Sequence, residues 1–226
     1  MSNLANFVTG LSLLCGFVSI VFSLENHFSF ACWAIILSVI FDGLDGQIAR
    51  KISSTSEFGK EFDSLVDVIS FGIAPSVLGY IFLYQTFGLL TTAALFIYLF
   101  CGVIRLARYN ITPKEKMANY FYGLPTTVSG GVIASYILMY TKYSQLPPAP
   151  VLLSLVLCLA FLMVSRVRYL NLDGVLRFLG NKVIFVILAA ATIWYFFDPG
   201  SALFTIFLIY LIFFPFVVKF VNPLRQ

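Results

Sequence analysis

Long apolar runs broken by short polar stretches set the pattern of this chain from one end to the other. Leu4–Leu24 carries no charge, and Phe28–Phe41 runs apolar into Asp42. Val68–Ile104 contains no Asp, Glu, Lys, Arg or His. A single helix of that length overshoots about 30 Å of hydrocarbon even when tilted, so a turn near Gln85–Gly88 is expected to divide it into two spans. Further apolar runs fall at Leu124–Thr141, Ala149–Ser165, Val183–Phe197 and Ser201–Val218, separated by the basic segment Arg166–Lys182 and by Asp198-Pro199-Gly200. Roughly 20 residues cross a bilayer as an α-helix. The pattern therefore predicts an all-α integral membrane protein, a polytopic bundle of about eight transmembrane helices forming a single membrane domain over residues 1–226.

Composition agrees with this reading. Hydrophobic residues make up 60% of the 226 positions and charged residues 11%, too little charge for a soluble domain of this size. Eight spans place both termini on one side, and of the 14 lysines and arginines only Lys142 falls on the other. The basic side is expected to be cytoplasmic. The net charge of +4 then reports topology and attraction to anionic lipid, not nucleic acid. Leu4–Leu24 has no basic segment before it and no small-residue cleavage site, so it reads as a retained helix. Cys15, Cys32, Cys101 and Cys158 stand singly in apolar runs, as small packing residues do.

Four aspartates conflict with a purely structural membrane bundle. Asp42, Asp45, Asp63 and Asp67 lie on helices expected to be in lipid, where each carboxylate costs about 2.5–3.5 kcal/mol on insertion scales unless paired, hydrated or metal-bound. At about 100° per residue, Asp42, Asp45, Gly46 and Ala49 share one stripe of the second helix. By the same arithmetic, Gly59, Asp63, Asp67, Ser70 and Ala74 share one stripe of the third. Two such helices, antiparallel and joined by a short loop, would present their carboxylates to a common cleft. Like charges that close stay ionised only with a counter-charge, and one or two divalent cations supply it. All-oxygen ligation favours Mg²⁺ or Mn²⁺, with Ca²⁺ possible, and the single histidine, His27, lies in the opposite loop. Gly46, Ala49 and Gly59 leave room for close packing or for a bulky ligand. Arg50, one turn below the acids, either binds phosphate or anchors the helix end at the interface.

Asp42-Gly-Leu-Asp45-Gly46-Gln-Ile-Ala49-Arg50, followed at fixed spacing by Gly59, Asp63 and Asp67, resembles the signature of the CDP-alcohol phosphotransferases. Asn6 and Thr9 in the first helix are similar to the family as well. Ser70-Phe-Gly-Ile-Ala-Pro75, Arg105-Leu-Ala-Arg108-Tyr-Asn110 and Tyr122-Gly-Leu-Pro125 resemble its phosphatidylserine synthase branch. The resemblance covers residues 1–125; residues 126–226 carry further transmembrane helices without a recognised motif, expected to serve as scaffold, dimer contact or lipid access.

The resemblance implies transfer of a phosphatidyl group from a CDP-linked lipid, CDP-diacylglycerol or CDP-archaeol, to a small alcohol with release of CMP. For this branch the alcohol is L-serine. It further implies that Asp42, Asp45, Asp63 and Asp67 bind a two-metal centre, with Asp67 also the general base, that Gly46, Ala49, Arg50 and Gly59 surround the CDP moiety, and that the enzyme is a homodimer. Tyr122-Gly-Leu-Pro125 reads as a turn without chemistry. Arg105 and Arg108, three residues apart, are candidates to hold the serine carboxylate with help from Asn110; alternatively they mark the end of the fourth helix. Two rival readings stand beside this one. A sister enzyme would use glycerol 3-phosphate or an inositol derivative, and a cation transporter would also place carboxylates in the membrane.

Overall fold

The computed structural model describes residues 2–52, 57–112, 120–143, 148–170, 194 and 198–221. The expected seventh span, Val183–Phe197, lies outside the described residues except for Trp194. So do Lys114, Lys116, Arg177, Lys182 and Arg225, on which much of the charge asymmetry rests.

Two long helices open the fold, α1 (Ser2–Leu24) and α2 (Phe28–Ile52). The turn between them is short because Asn26 takes a left-handed conformation, φ 61°, which asparagine tolerates better than most residues. Small hydroxyl residues zip the hairpin along its length. Ser19 donates to the carbonyl of Ala31 at 2.9 Å, and the Ser12 and Ser38 hydroxyls meet at 2.7 Å. Such pairs let helices approach closely where hydrophobic burial gives little net drive.

The third membrane helix is continuous over Glu57–Phe87 but not uniform. It begins as α3 (Glu57–Asp67), passes through a π-helical turn at Val68–Ile73 and continues as α4 (Ala74–Phe87). The stripe expected from Gly59 through Ala74 is therefore interrupted. A π turn accommodates an extra residue, which ends the 100° progression after Asp67. The turn expected near Gln85–Gly88 is present: Gly88 adopts φ 52° and stops α4 before α5 (Leu89–Ile111).

After α5 come β1 (Tyr120–Tyr122), α6 (Thr126–Lys142), α7 (Pro148–Val164), β2 (Arg168–Leu170) and α8 (Pro199–Val221). The antiparallel pair of strands β1 and β2 was not expected, since three-residue strands leave no alternating pattern to read. α6 is the central helix, with every residue from Ser129 to Leu138 buried. It packs against α2, α7, α8 and the π turn. Around it Tyr98, Leu78, Leu83, Ile133, Leu152 and Met163 form the core.

The outer surface is apolar: Leu4, Phe7, Leu14 and Phe17 on α1, Phe96 and Phe100 on α5, and Phe161 on α7 all point outward. A belt of this kind needs a hydrocarbon environment. Leu4–Leu24, Phe28–Ile48, Glu57–Phe87 and Leu89–Ile111 are each long and apolar enough to cross a membrane, and Ala149–Val164 and Pro199–Ile212 are shorter apolar helices. The fold is that of an α-helical membrane protein.

Candidate active site

Asp42 on α2 and Asp63 and Asp67 on α3 converge. One carboxylate oxygen from each lies within 4.8 Å of the others, although the residues are 21 or more positions apart from Asp42 in sequence. Asp67 Oδ1 is buried with no hydrogen-bond partner among the described residues. A buried carboxylate oxygen left unpaired carries its full desolvation cost, which a bound cation would offset. The donor set is all oxygen and anionic, which fits a hard divalent ion.

Asp45, one turn from Asp42, is buried but stands apart from this group of three. Its Oδ2 accepts a 2.8 Å hydrogen bond from Thr9 on α1, which fixes the carboxylate from the far side. Gly46 comes next, and a Cβ placed there would meet nothing within 4 Å. Among the described residues, helix packing therefore does not require glycine at that position. Gly16 is the opposite case: a Cβ there would stand 2.6 Å from Ser70 Oγ, so glycine is what lets α1 touch the π turn.

Arg105 on α5 enters the same interior from the other side. It is only 7% exposed, donates to Thr126 Oγ1 at 3.2 Å and has a buried Nε without a partner among the described residues. Its guanidinium lies within electrostatic range of Asp67 and Asp42 and 5.6 Å from the ring centre of Tyr109. A cavity of about 200 Å³ opens beside it, lined by Arg105, Arg108, Tyr109, Thr112, Tyr122 and Arg166. Three arginines and two tyrosines are among its lining residues, a chemistry that suits a small anion. Arg105 thus lines the basic cavity and lies within electrostatic range of the carboxylate cluster.

The sequence matches the family model described as CDP-alcohol phosphatidyltransferase over residues 2–194. The chain belongs to that family. It is similar to a CDP-diacylglycerol–serine O-phosphatidyltransferase of Helicobacter pylori, 38% identical over 172 residues that make up 75% of this chain and 73% of that one. An archaetidylserine synthase of Methanothermobacter thermautotrophicus is 34% identical over 173 residues, 76% of this chain and 71% of its own length. A CDP-diacylglycerol–serine O-phosphatidyltransferase of Bacillus subtilis is 31% identical over 170 residues, 75% and 90% of the two chains.

Against this family background the remaining candidates separate. Arg108 lines the cavity, but its guanidinium is also committed to the end of α7: it donates to the carbonyls of Val164 at 3.0 Å, Met163 at 3.3 Å and Ser165 at 3.3 Å, and to that of Tyr122 at 3.2 Å. The first three are carbonyls that a helix terminus leaves without intrahelical partners. Asn110 is not brought to the cavity. Its side-chain amide donates to Ser64 at 3.0 Å while its backbone carbonyl accepts from Lys60 at 2.6 Å, tying α5 to α3. Gly59 lies half-buried on α3, one turn before Asp63. The side chains of Ala49 and Arg50 lie outside the described residues.

Sequence reasoning missed Thr126, Tyr122 and Arg166. A threonine at a helix start and an arginine in a basic loop look ordinary one at a time; only folding brings them beside Arg105. Residues beyond Pro125 thus reach the site as well as packing around it.

Proposed function

We propose that this chain transfers a phosphatidyl group from CDP-diacylglycerol to the hydroxyl of L-serine, giving phosphatidylserine and CMP. The observation that carries the reading is the juxtaposition of the carboxylate cluster with a small basic cavity, in a chain whose relatives with either kind of lipid in their names are serine enzymes. CDP-archaeol is the alternative donor, since an apolar helix surface does not distinguish the two lipid tails.

Asp42, Asp63 and Asp67, with Asp45 beside them, would hold one or two divalent ions, Mg²⁺ or Mn²⁺. When bound, such ions neutralise the pyrophosphate of the donor and stabilise the charge on departing CMP. The protein's own groups do the rest. Arg105 orients the acceptor through its carboxylate, with Arg166 closing the cavity and Tyr109 and Tyr122 forming its walls. Asp67 takes the serine hydroxyl proton as the serine oxygen bonds to phosphorus and the phosphorus–oxygen bond to CMP breaks. An aliphatic hydroxyl is too weak an acid to ionise beforehand, so proton removal accompanies attack. Open space over Gly46 receives the CDP moiety, with Ala49, Arg50 and Gly59 around it. On this reading the site lies near the cytoplasmic face of the cell membrane, and a homodimer is the working unit.

Purified protein in detergent, given CDP-diacylglycerol and Mn²⁺ or Mg²⁺, is expected to release CMP when L-serine is added and not with glycerol 3-phosphate, inositol or no acceptor. Release with one of the other alcohols would change the acceptor within the family. Silence with all of them in the presence of metal would remove the reading.

A further inference from the structure

The helix that carries Asp63 and Asp67 changes its winding immediately beyond them, at the π turn Val68–Ile73. Relative to a continuous α-helix, the extra residue rotates the downstream segment by roughly 100°. On one side of the turn Asp63 and Asp67 face Asp42; on the other, Ala74 and Leu78 face the core. A helix wound as α throughout would rotate one of these faces away from its partners. The π turn is what lets a single helix serve both the site and the core.

π turns are rare and persist where the surroundings hold them. Three elements hold this one. From α1, the carbonyl of Ser12 accepts a 3.1 Å hydrogen bond from Ser70. From α6, Gly130 allows contact at 3.3 Å from its Cβ position to the backbone of Phe71. From α5, the fully buried Tyr98 donates its hydroxyl to the Phe71 carbonyl at 2.8 Å. That hydroxyl also lies 3.1 Å from Ser129 Oγ on α6.

The same seam leads back to the site. Ser129 Oγ, whose single proton can go to the Tyr98 hydroxyl, also lies 2.7 Å from the Thr126 carbonyl, and the Thr126 hydroxyl accepts from Arg105. Tyr98 and Arg105, two turns apart, lie on one face of α5. One grips the π turn while the other lies within electrostatic range of Asp67 at its start.

We propose that Tyr98, supported by Ser129, is a positioning residue that keeps Val68–Ile73 wound as a π turn and thereby aims Asp67 into the carboxylate cluster. This rests on the metal-site reading above. Tyr98→Phe removes the hydroxyl and keeps the ring. Mn²⁺ titrated into the detergent-solubilised variant, with the free ion followed by electron paramagnetic resonance, is expected to bind about fivefold more weakly, the worth of roughly one hydrogen bond. kcat should fall with it while the KM for serine stays within about twofold. Ser129→Ala should shift Mn²⁺ affinity in the same direction by less, and it carries the test if Tyr98→Phe does not fold.

Leu83→Ala, a cavity far from the site, is the control for general loosening: it should lower thermal stability and leave Mn²⁺ affinity alone. Asp42→Asn is measured alongside. If it abolishes Mn²⁺ binding while Tyr98→Phe and Ser129→Ala bind normally, the positioning role is wrong and the metal site stands. An equal loss of affinity in Leu83→Ala would also overturn it. If Asp42→Asn binds Mn²⁺ like the unaltered protein, the metal-site reading falls and the positioning role with it.

Discussion

The central helix α6 has a group of ionisable side chains at each end, and the two groups are built differently. Beyond its last residue, Lys142, stands Asp198, the residue that precedes α8; their side chains form a 3.0 Å ion pair. The arrangement is locally complete. A cation sits at a helix C-terminus, an anion at a helix N-terminus, and each complements the dipole of its own helix as well as its partner. At the other end Thr126 meets Arg105, and beyond Arg105 lie Asp67, Asp42 and Asp63. Here a buried arginine and half-buried carboxylates share one region, yet among the described residues Asp67 Oδ1 and Arg105 Nε have no hydrogen-bond partner. The difference teaches how to tell a strut from a site. A structural pair satisfies itself, whereas a reactive constellation keeps donors and acceptors open for something the fold does not contain.

This contrast can be broken most directly at Asp67. Asp67→Asn keeps the shape and removes the base, and metal-dependent CMP release should fall by about a thousandfold or more. A loss of less than about tenfold would place the base elsewhere. Arg105→Ala should raise the serine KM by about tenfold or more, the worth of a charge-assisted hydrogen bond, whereas Arg108→Ala should act mainly on stability because its partners are the carbonyls at the end of α7. Equal rises in KM for the two would merge their roles. The smallest effect is expected at the other end of α6: Asp198→Asn should leave CMP release within about twofold, as an ion pair with an exposed partner contributes little. A large loss there would mean that the two ends are coupled.

Much of this was legible one helix at a time. The break at Gly88 was readable because a run as long as Val68–Ile104 cannot cross once, and Gly88 does adopt the left-handed conformation that ends α4. Asp42, Asp45, Asp63 and Asp67 were readable as a group because carboxylates in apolar helices need a partner; the fold brings Asp42, Asp63 and Asp67 together and ties Asp45 to Thr9. The winding of the third helix was not. Spacing arithmetic assumes an α-helix, and nothing in Val-Ile-Ser-Phe-Gly-Ile departs from α-helical chemistry enough to announce a π turn. The contacts of Arg108 and Asn110 were likewise hidden: Arg108 lines the cavity with Arg105 but also ties to the end of α7, while the Asn110 side chain goes to α3.

By itself, then, the amino-acid order determined that this protein is a membrane helix bundle with buried carboxylates, because apolar length and the cost of burying charge act locally on each segment. Only the tertiary structure decided which of those groups meet. Thr126 reaches Arg105, Thr9 reaches Asp45 and Tyr98 reaches the Phe71 carbonyl across helix interfaces. Those contacts depend on how neighbouring helices rotate about their axes, and that rotation is set by close packing at positions such as Gly16 and Gly130, not by any one segment's own periodicity.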